Sequence, residues 1–161
     1  MWIIEAKYGE KDFYLKLEKE IFSLIDGEKN LFANLANISS WIYHTLPNLN
    51  WCGFYLWDKT DQELVLGPFQ GKPACIRIKP HRGVCGAAYT QRKTVKVSDV
   101  NEFPGHIACD SSTESELVIP LIKNSIVYGV LDLDSPLKRN FTEIDEIQLT
   151  SIMNVVSDKI F

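Results

Sequence analysis

The sequence lacks long apolar runs, basic clusters and closely paired cysteines. No apolar stretch approaches the roughly 18 residues that suggest a membrane span. No basic run accompanies the net charge of -4 and the isoelectric point near 5.4, which argues against a membrane or nucleic-acid partner. The segment "MWIIEAKYGEKDF" also lacks the basic, apolar and small-residue regions of a signal peptide. We therefore expect a cytoplasmic protein.

The four cysteines, Cys52, Cys75, Cys85 and Cys109, include no CxxC pair. The local motifs of zinc ribbons and of thioredoxin-type redox proteins are therefore missing. In a reducing compartment the cysteines are expected to be thiols at rest. Three interpretations stay open: buried small hydrophobic residues, a scattered metal site, or reactive thiols that the fold brings together.

The composition is that of an ordinary globular chain, with 161 residues of which 45% are hydrophobic and 24% charged. Apolar residues at helical spacing predict two helices within residues 10–46. Residues 50–135 contain six short runs rich in aromatic and β-branched residues, which predict strands. Residues 83–93 predict a short helix between two of these strands.

The C-terminal segment predicts a last helix over residues 142–160. Thr142 and Asp145 have the spacing of a capping box at its start. Helices at both ends of a strand-rich middle predict an α+β fold over residues 1–161, in which helices pack on the faces of an antiparallel sheet of about six strands. The predicted apolar face of the last helix consists of Ile144, Ile147, Leu149, Ile152, Val155 and Val156.

Three acidic residues cluster if the last two strands form a hairpin with the loop 123–125. Glu116 then faces Asp132, and Asp134 lies on the same face because strand side chains alternate. Like charges opposed on a sheet destabilise it, so we interpret the patch as a pocket for an ammonium group. A carboxyl whose pKa is raised by its neighbours could also donate a proton there. Hydrated acids, a register error of one, and a divalent metal site are the alternatives.

The cysteines differ in their predicted surroundings. Cys85, in "GVCG", begins the short helix, where the partial positive charge of the helix end predicts a lowered thiol pKa. Cys109 follows "FPGH", whose Pro-Gly pair suits a type II turn that displays the thiol. Cys75, in "GKPAC", opens a strand. Cys52 lies in an apolar strand and is predicted to be core.

The sequence resembles the free methionine-(R)-sulfoxide reductases, a family built on a single GAF domain. The runs that match span most of residues 50–136 in the expected order, and two of them, "GPFQGKPAC" and "FPGHIACD", are long and specific. One departure is visible, because the family usually has a glycine where this chain has His81. The matching runs are "NWCGFYL", "LVLGPFQGKPACIRI", "GVCGAA", "VSDVNEFPGHIACD", "SELVIPL" and "GVLDLDSP".

The resemblance implies a GAF-like sheet and the reduction of free L-methionine (R)-sulfoxide to L-methionine. It implies Cys109 as the nucleophile, with Cys85 and Cys75 as resolving thiols. The thiolate would attack the sulfoxide sulfur and become a sulfenic acid, which then condenses to a disulfide. The acidic part of the implied substrate site is Glu116, Asp132 and Asp134.

Two aromatic residues on the first strand are candidates for contact with the substrate. Trp51 and Tyr55 have even spacing and are interpreted either as a wall against the substrate methyl group or as ordinary core aromatics. No bound cofactor or metal is expected. Thioredoxin, itself reduced by NADPH through thioredoxin reductase, is the expected dithiol donor, and a homodimer is a further expectation.

Two other readings of the sequence remain. One is a non-catalytic GAF sensor for a small molecule or for redox state, in which Cys109 would be dispensable. The other is a zinc site made by Cys75, Cys85, Cys109 and His106, although their spacing does not match the common structural zinc motifs.

Overall fold

The computed structural model describes residues 4–106 and 110–161. Within these ranges the chain forms a six-stranded antiparallel sheet with the strand order β3-β2-β1-β6-β5-β4, which confirms the predicted α+β class. No helix in the described part of the chain is long and apolar enough to cross a membrane. The elements are α1 (Lys11–Ile25), α2 (Leu31–Thr45), β1 (Trp51–Asp58), β2 (Glu63–Gly71), β3 (Arg77–Ile78), α3 (Gly83–Gln91), β4 (Val95–Val97), β5 (Ser115–Lys123), β6 (Ile126–Ser135) and α4 (Glu143–Ile160).

Helix α4 begins with the predicted capping box. The Thr142 hydroxyl oxygen accepts from the Asp145 backbone N–H at 3.3 Å, and the Asp145 carboxylate accepts from the Thr142 backbone N–H at 2.7 Å. Two of the N–H groups at the helix start therefore have side-chain acceptors. Helix α2 has a simpler cap, in which the Asn30 side chain accepts from the Ala33 N–H at 3.0 Å.

The sheet has two faces of different character. Alternation along the strands directs one set of side chains towards α1, α2 and α4, and the other set towards α3. We call the first the helix face and the second the site face. The helix face of the three central strands is apolar and fully buried; it includes Cys52, Phe54, Leu117, Ile119, Leu121, Leu131 and Leu133.

Two local predictions are wrong. Ile147 was placed on the apolar face of the last helix, yet its side chain is 63% exposed. Ile147 is two residues from the buried Asp145 and Leu149, so it lies about 160° around the helix from them, on the side that faces solvent. The predicted strand over residues 74–78 is reduced to Arg77–Ile78, because only these residues pair with β2.

The β5–β6 hairpin differs from its predicted register by two residues. The turn contains two residues rather than three: Lys123 pairs with Ile126, and Asn124 and Ser125 both have positive φ, at 49° and 63°. This is the conformation of a type I′ turn, which suits the twist of a hairpin. Glu116 consequently pairs with Asp134, and Val118 pairs with Asp132. The predicted pairing of Glu116 with Asp132 is wrong.

A β-bulge in the same hairpin keeps the acidic residues on one face. Leu121 pairs with Gly129 and Ile122 pairs with Val127, so Tyr128 is an extra residue in β6. The shorter turn alone would shift the register by one and move Asp132 to the other face. The bulge shifts the register by one more residue, and the total shift of two returns Asp132 to the same face as Glu116.

Candidate active site

A pocket opens on the site face between the sheet and the start of α3. The space between its walls, including solvent at the open mouth, is about 550 Å³. Strands β1, β5 and β6, the segment 72–74 and residues 82–85 all contribute to its walls. The predicted site residues that line it are Trp51, Tyr55, Cys85, Glu116, Asp132 and Asp134.

Trp51 and Tyr55 form one wall of the pocket, as their even spacing predicts. Their rings stack with centroids 5.8 Å apart, and Phe69 of β2 stacks on Trp51 at 5.3 Å. Their polar atoms hold the neighbouring loop, because the Trp51 indole N–H donates to the Lys72 carbonyl at 3.1 Å and the Tyr55 hydroxyl donates to the Cys75 carbonyl at 3.0 Å. Glycine is required between them, since a Cβ at Gly53 would lie 2.3 Å from the Phe69 Cβ.

The acidic residues form the floor of the pocket. Glu116 and Asp132 are 6% and 7% exposed. Burial raises the pKa of Glu116 well above its usual range, and the charge of Asp134 raises it further. Burial and the charge of Glu116 likewise raise the pKa of Asp132, and burial and the charge of Asp132 raise the pKa of Asp134. The floor therefore favours bound protons or a bound cation.

One carboxylate oxygen in the floor is unpaired. The Asp132 Oδ1 atom is buried and has no hydrogen-bond partner among the residues that the structure describes. A buried polar atom without a partner costs about 1–3 kcal/mol. Elsewhere in the floor, the Nε2 atom of His106 lies 3.5 Å from Oε2 of Glu116, and burial lowers the pKa of His106. The floor thus presents an acceptor to whatever enters the pocket.

Cys85 does not have the lowered thiol pKa that its helix position predicts. Its side chain is 3% exposed, and its sulfur and one oxygen each of Glu116 and Asp132 lie within 4.8 Å of one another. Burial raises the pKa of this thiol well above its usual range, and the charges of Asp132 and Glu116 raise it further. Desolvation and two carboxyls outweigh the partial charge of a helix end, whose effect is normally small.

The other cysteines lie in different environments. Cys52 is a free thiol that is buried in the helix-face core, as predicted. Cys75 is half-buried and disulfide-bonded, whereas Cys85 is a free thiol. Cys109, the predicted nucleophile, lies outside the described residues. The turn that leads to it has the predicted form, since the His106 N–H donates to the Phe103 carbonyl at 3.2 Å and Gly105 has φ 74°.

Comparison with known proteins identifies the family. The GAF domain family matches residues 35–160. A protein of Bacillus subtilis (strain 168) called YtsP is 50% identical over 93% of this chain and 93% of its own length. The free methionine-R-sulfoxide reductase of Escherichia coli (strain K12) is 45% identical, over 90% of this chain and 87% of its own length. The chain belongs to the GAF-domain family of free methionine-R-sulfoxide reductases.

A solved structure shares the whole fold. It is an X-ray structure of free methionine-R-sulfoxide reductase from Neisseria meningitidis in complex with its substrate. This structure is 39% identical, has a TM-score of 0.90, and the match covers 98% of this chain and 94% of the other. The GAF fold predicted from the sequence is thus confirmed.

Among the pocket residues that the sequence did not predict, three have polar side chains that act on the site: Lys72, Asp110 and Thr113. Lys72 and Asp110 form an ion pair at 3.4 Å, and Thr113 hydrogen-bonds to Asp134 and lowers its pKa against the larger effect of burial. Hydrogen bonds from Ser112 lower the pKa of Asp110. Lys72 and Asp110 each lie within three residues of a predicted redox cysteine, which was the available signal.

His81 occupies the position where the reductase family usually has glycine, and its backbone shows why glycine suits that position. His81 has φ 66°, in the left-handed region that glycine adopts without strain and that histidine adopts more readily than most residues. The turn before α3 therefore keeps a glycine-like conformation in this chain.

Proposed function

We propose that this protein reduces free L-methionine (R)-sulfoxide to L-methionine. The observation that carries the proposal is the floor of two buried carboxyl groups and a half-buried third, Asp134, beneath a stacked aromatic wall, in a chain of the free methionine-R-sulfoxide reductase family. Such a pocket suits a ligand that has a compact cation and an apolar group. Free methionine sulfoxide has both, because it carries an α-ammonium group and its side chain ends in a methyl group.

The floor would bind the substrate's α-ammonium group. Glu116, Asp132 and Asp134 supply negative charge in a buried pocket, where an ammonium group relieves their mutual repulsion and satisfies the unpaired Asp132 oxygen. The Trp51 and Tyr55 rings would contact the methyl group. A methionine sulfoxide within a peptide has an amide in place of the ammonium group, which supports a preference for the free amino acid.

The reaction would begin at Cys109. Its thiolate attacks the sulfoxide sulfur, and one of the carboxyl groups, protonated because of its raised pKa, donates a proton to the sulfoxide oxygen. Methionine leaves and the oxygen remains on Cys109 as a sulfenic acid. A second thiol then displaces that oxygen as water and forms a disulfide.

We propose Cys75 rather than Cys85 as the principal resolving thiol. Cys75 is disulfide-bonded and follows the loop that Trp51 and Tyr55 hold. Cys85 is a free thiol, buried between two carboxyls that raise its pKa, and a protonated thiol is a poor nucleophile. The resemblance alone implied both cysteines as resolving thiols.

Recycling would require an external dithiol. Thioredoxin, reduced by NADPH through thioredoxin reductase, has the chemistry to reduce such a disulfide. That dependence fits a cytoplasmic location, where dithiol donors keep cysteines reduced. Assembly as a homodimer stays part of the proposal.

The proposal is tested by measuring donor-dependent turnover on the separate R and S epimers of free methionine sulfoxide. We expect turnover of the R epimer alone, and its loss in Cys109→Ser. Cys52→Ala, which changes a core thiol outside the pocket, is the matched control. Inactivity on both epimers would contradict the proposal. Ligand binding that survives in Cys109→Ser, without any turnover by the unmodified protein, would favour the GAF sensor.

A further inference from the structure

We propose that the reduced protein binds one Zn²⁺ ion in the pocket floor, with Cys85, Glu116, Asp132 and His106 as ligands. The ion would occupy the place of the substrate's ammonium group, so that zinc and methionine exclude each other. This exclusion rests on the proposed function, whereas the binding of zinc does not.

Three of the four donors already lie close together, and His106, which lies next to Glu116, would move towards the other two to complete a tetrahedral set. The Cys85 sulfur and one carboxylate oxygen each of Glu116 and Asp132 lie within 4.8 Å of one another. His106 Nε2 lies 3.5 Å from Glu116 Oε2. Zinc bonds of roughly 2.0–2.3 Å place tetrahedral ligand atoms about 3.3–3.8 Å apart, so the His106–Glu116 pair already has the required separation.

The unpaired oxygen of Asp132 is a second observation that points to a ligand. Asp132 is 7% exposed and lines the pocket, and its Oδ1 atom lacks a hydrogen-bond partner within the described ranges. A buried acceptor of this kind needs either a donor or a cation. The cluster therefore has a position for an ion and an atom left to coordinate it.

The kinds of donor favour zinc over the hard divalent cations. One sulfur, one imidazole nitrogen and two carboxylate oxygens form a mixed set that suits Zn²⁺, whereas Mg²⁺ and Ca²⁺ select oxygen ligands. Binding would displace the Cys85 thiol proton to the solvent. The thiolate and two carboxylates then carry three negative charges, which the ion reduces to one.

This ligand set differs from the zinc site considered from the sequence. That site required Cys75 and Cys109 together with Cys85 and His106. Glu116 and Asp132 replace those two cysteines here, because they are the groups that the fold places beside the Cys85 sulfur. Both sets include Cys85, but they make opposite predictions for Cys75→Ser.

The test is a zinc titration of the full-length, metal-free protein kept reduced with a phosphine, in competition with a chromogenic zinc indicator. We expect one ion per chain, at least tenfold weaker binding in Cys85→Ser and His106→Ala, and unchanged binding in Cys75→Ser. Cys52→Ala and His44→Ala are the matched controls. Cobalt bound in place of zinc should show a thiolate charge-transfer band that Cys85→Ser abolishes.

Competition with L-methionine locates the ion. We expect methionine to displace zinc, and Glu116→Gln and Asp132→Asn to weaken zinc binding without lowering the melting temperature. Zinc binding that depends on Cys75 instead of Cys85, or no stoichiometric binding, would overturn the proposed site. Zinc binding that methionine does not disturb would overturn the mutual exclusion. Zinc binding in a protein without reductase activity would contradict the proposed function alone.

Discussion

Two buried aspartates, one on each side of the sheet, differ in how fully the fold satisfies their hydrogen bonds. Asp145, at the start of α4, is 0% exposed and accepts hydrogen bonds from the Tyr8 and Tyr14 hydroxyls at 2.8 and 2.6 Å and from the backbone N–H of Thr142. Asp132, on the site face, is 7% exposed and keeps one oxygen without a partner within the described residues.

The difference separates stability from function. The hydrogen bonds to Asp145 connect the N-terminal segment, α1 and α4, so this buried acid stabilises the fold. Asp132 has weaker compensation, because its hydrogen-bond partners are the Cys85 thiol and Glu116 and its Oδ1 atom has none among the described residues. Its neighbours Glu116 and Asp134 also add repulsion. The repulsion among these acids destabilises the folded protein, and it occurs on the face where a bound ligand could offset it. This is the pattern expected of a functional site.

The largest expected effect comes from inserting one alanine between Val130 and Leu131. With the turn and the bulge unchanged, the insertion shifts Asp132 and Asp134 by one position against β5 and moves both towards the apolar helix face. We therefore expect loss of both methionine binding and the cooperative fold. Ligand binding and thermal unfolding are the measurements.

The control for that experiment is deletion of Tyr128. Without the bulge residue β6 pairs regularly from the turn, so Leu121 still faces Gly129 and Glu116 still faces Asp134. The deletion removes the Tyr128 ring, which stacks on Phe161 with centroids 4.5 Å apart, but we expect it to keep methionine binding. An insertion variant that binds methionine, or a folded deletion variant that does not, would contradict the register of this hairpin.

Next in size is the effect of neutralising the pocket acids. Glu116→Gln and Asp132→Asn should lower kcat/KM for free methionine (R)-sulfoxide about 10²–10⁴-fold, in the range typical of lost acid–base catalysis. Their folds should remain intact. Asp145→Asn is the matched control, because it changes a buried acid on the other side of the sheet. Unchanged turnover in both pocket variants would remove these acids from the mechanism.

The helix face should show the reverse pattern. Leu131→Ala removes a fully buried side chain next to Asp132 in sequence, and we expect it to lower the free energy of unfolding by about 2–5 kcal/mol. Tyr14→Phe removes one hydrogen bond to Asp145 and should cost about 1.5–3 kcal/mol. Denaturant unfolding measures both. A large loss of kcat at temperatures where these variants are folded would contradict the division between the faces.

The smallest effect concerns pH and stability. Because the folded state raises the pKa of Asp132, its contribution to stability is complete below the unfolded pKa of about 3.9 and is lost as pH rises through the folded pKa. Asp132→Asn removes this dependence. We expect the variant's melting temperature, without ligand, to exceed that of the unmodified protein by about 2–4 °C per kcal/mol near neutral pH.

That difference should vanish near pH 4. Thermal scans across the pH range measure it, and Asp145→Asn should instead lower the melting temperature. A stabilising effect of Asp132→Asn that persists unchanged into acid would show that the substitution acts through packing and not through the proton.

The sequence was sufficient for features set by local rules. Helix limits followed from apolar spacing and from Thr142 and Asp145, whose box forms as predicted. The shared face of the three acids also followed from strand alternation, although the predicted partner of Glu116 was wrong. The strand register shifted by one residue in the turn and by one more at Tyr128, so the total shift of two kept the acids on one face. Neither shift can be predicted from composition.

Features that depend on tertiary contacts were missed. The thiol pKa of Cys85 was predicted from its helix position, but its value depends on Asp132 and Glu116, which come from β6 and β5. The hydrogen bonds to Asp145 involve Tyr8 and Tyr14, more than 130 residues earlier. No local pattern indicates which distant side chain will meet a buried acid.

The aromatic wall has a consequence for how this protein could evolve. Trp51 and Tyr55 shape the pocket, and their polar atoms also hold the Lys72 and Cys75 carbonyls. A substitution that enlarges the pocket for a different sulfoxide therefore also releases the backbone that positions a redox cysteine. The same two side chains thus determine substrate range and position a redox cysteine. A change in specificity at Trp51 or Tyr55 therefore requires new hydrogen bonds to the Lys72 and Cys75 carbonyls.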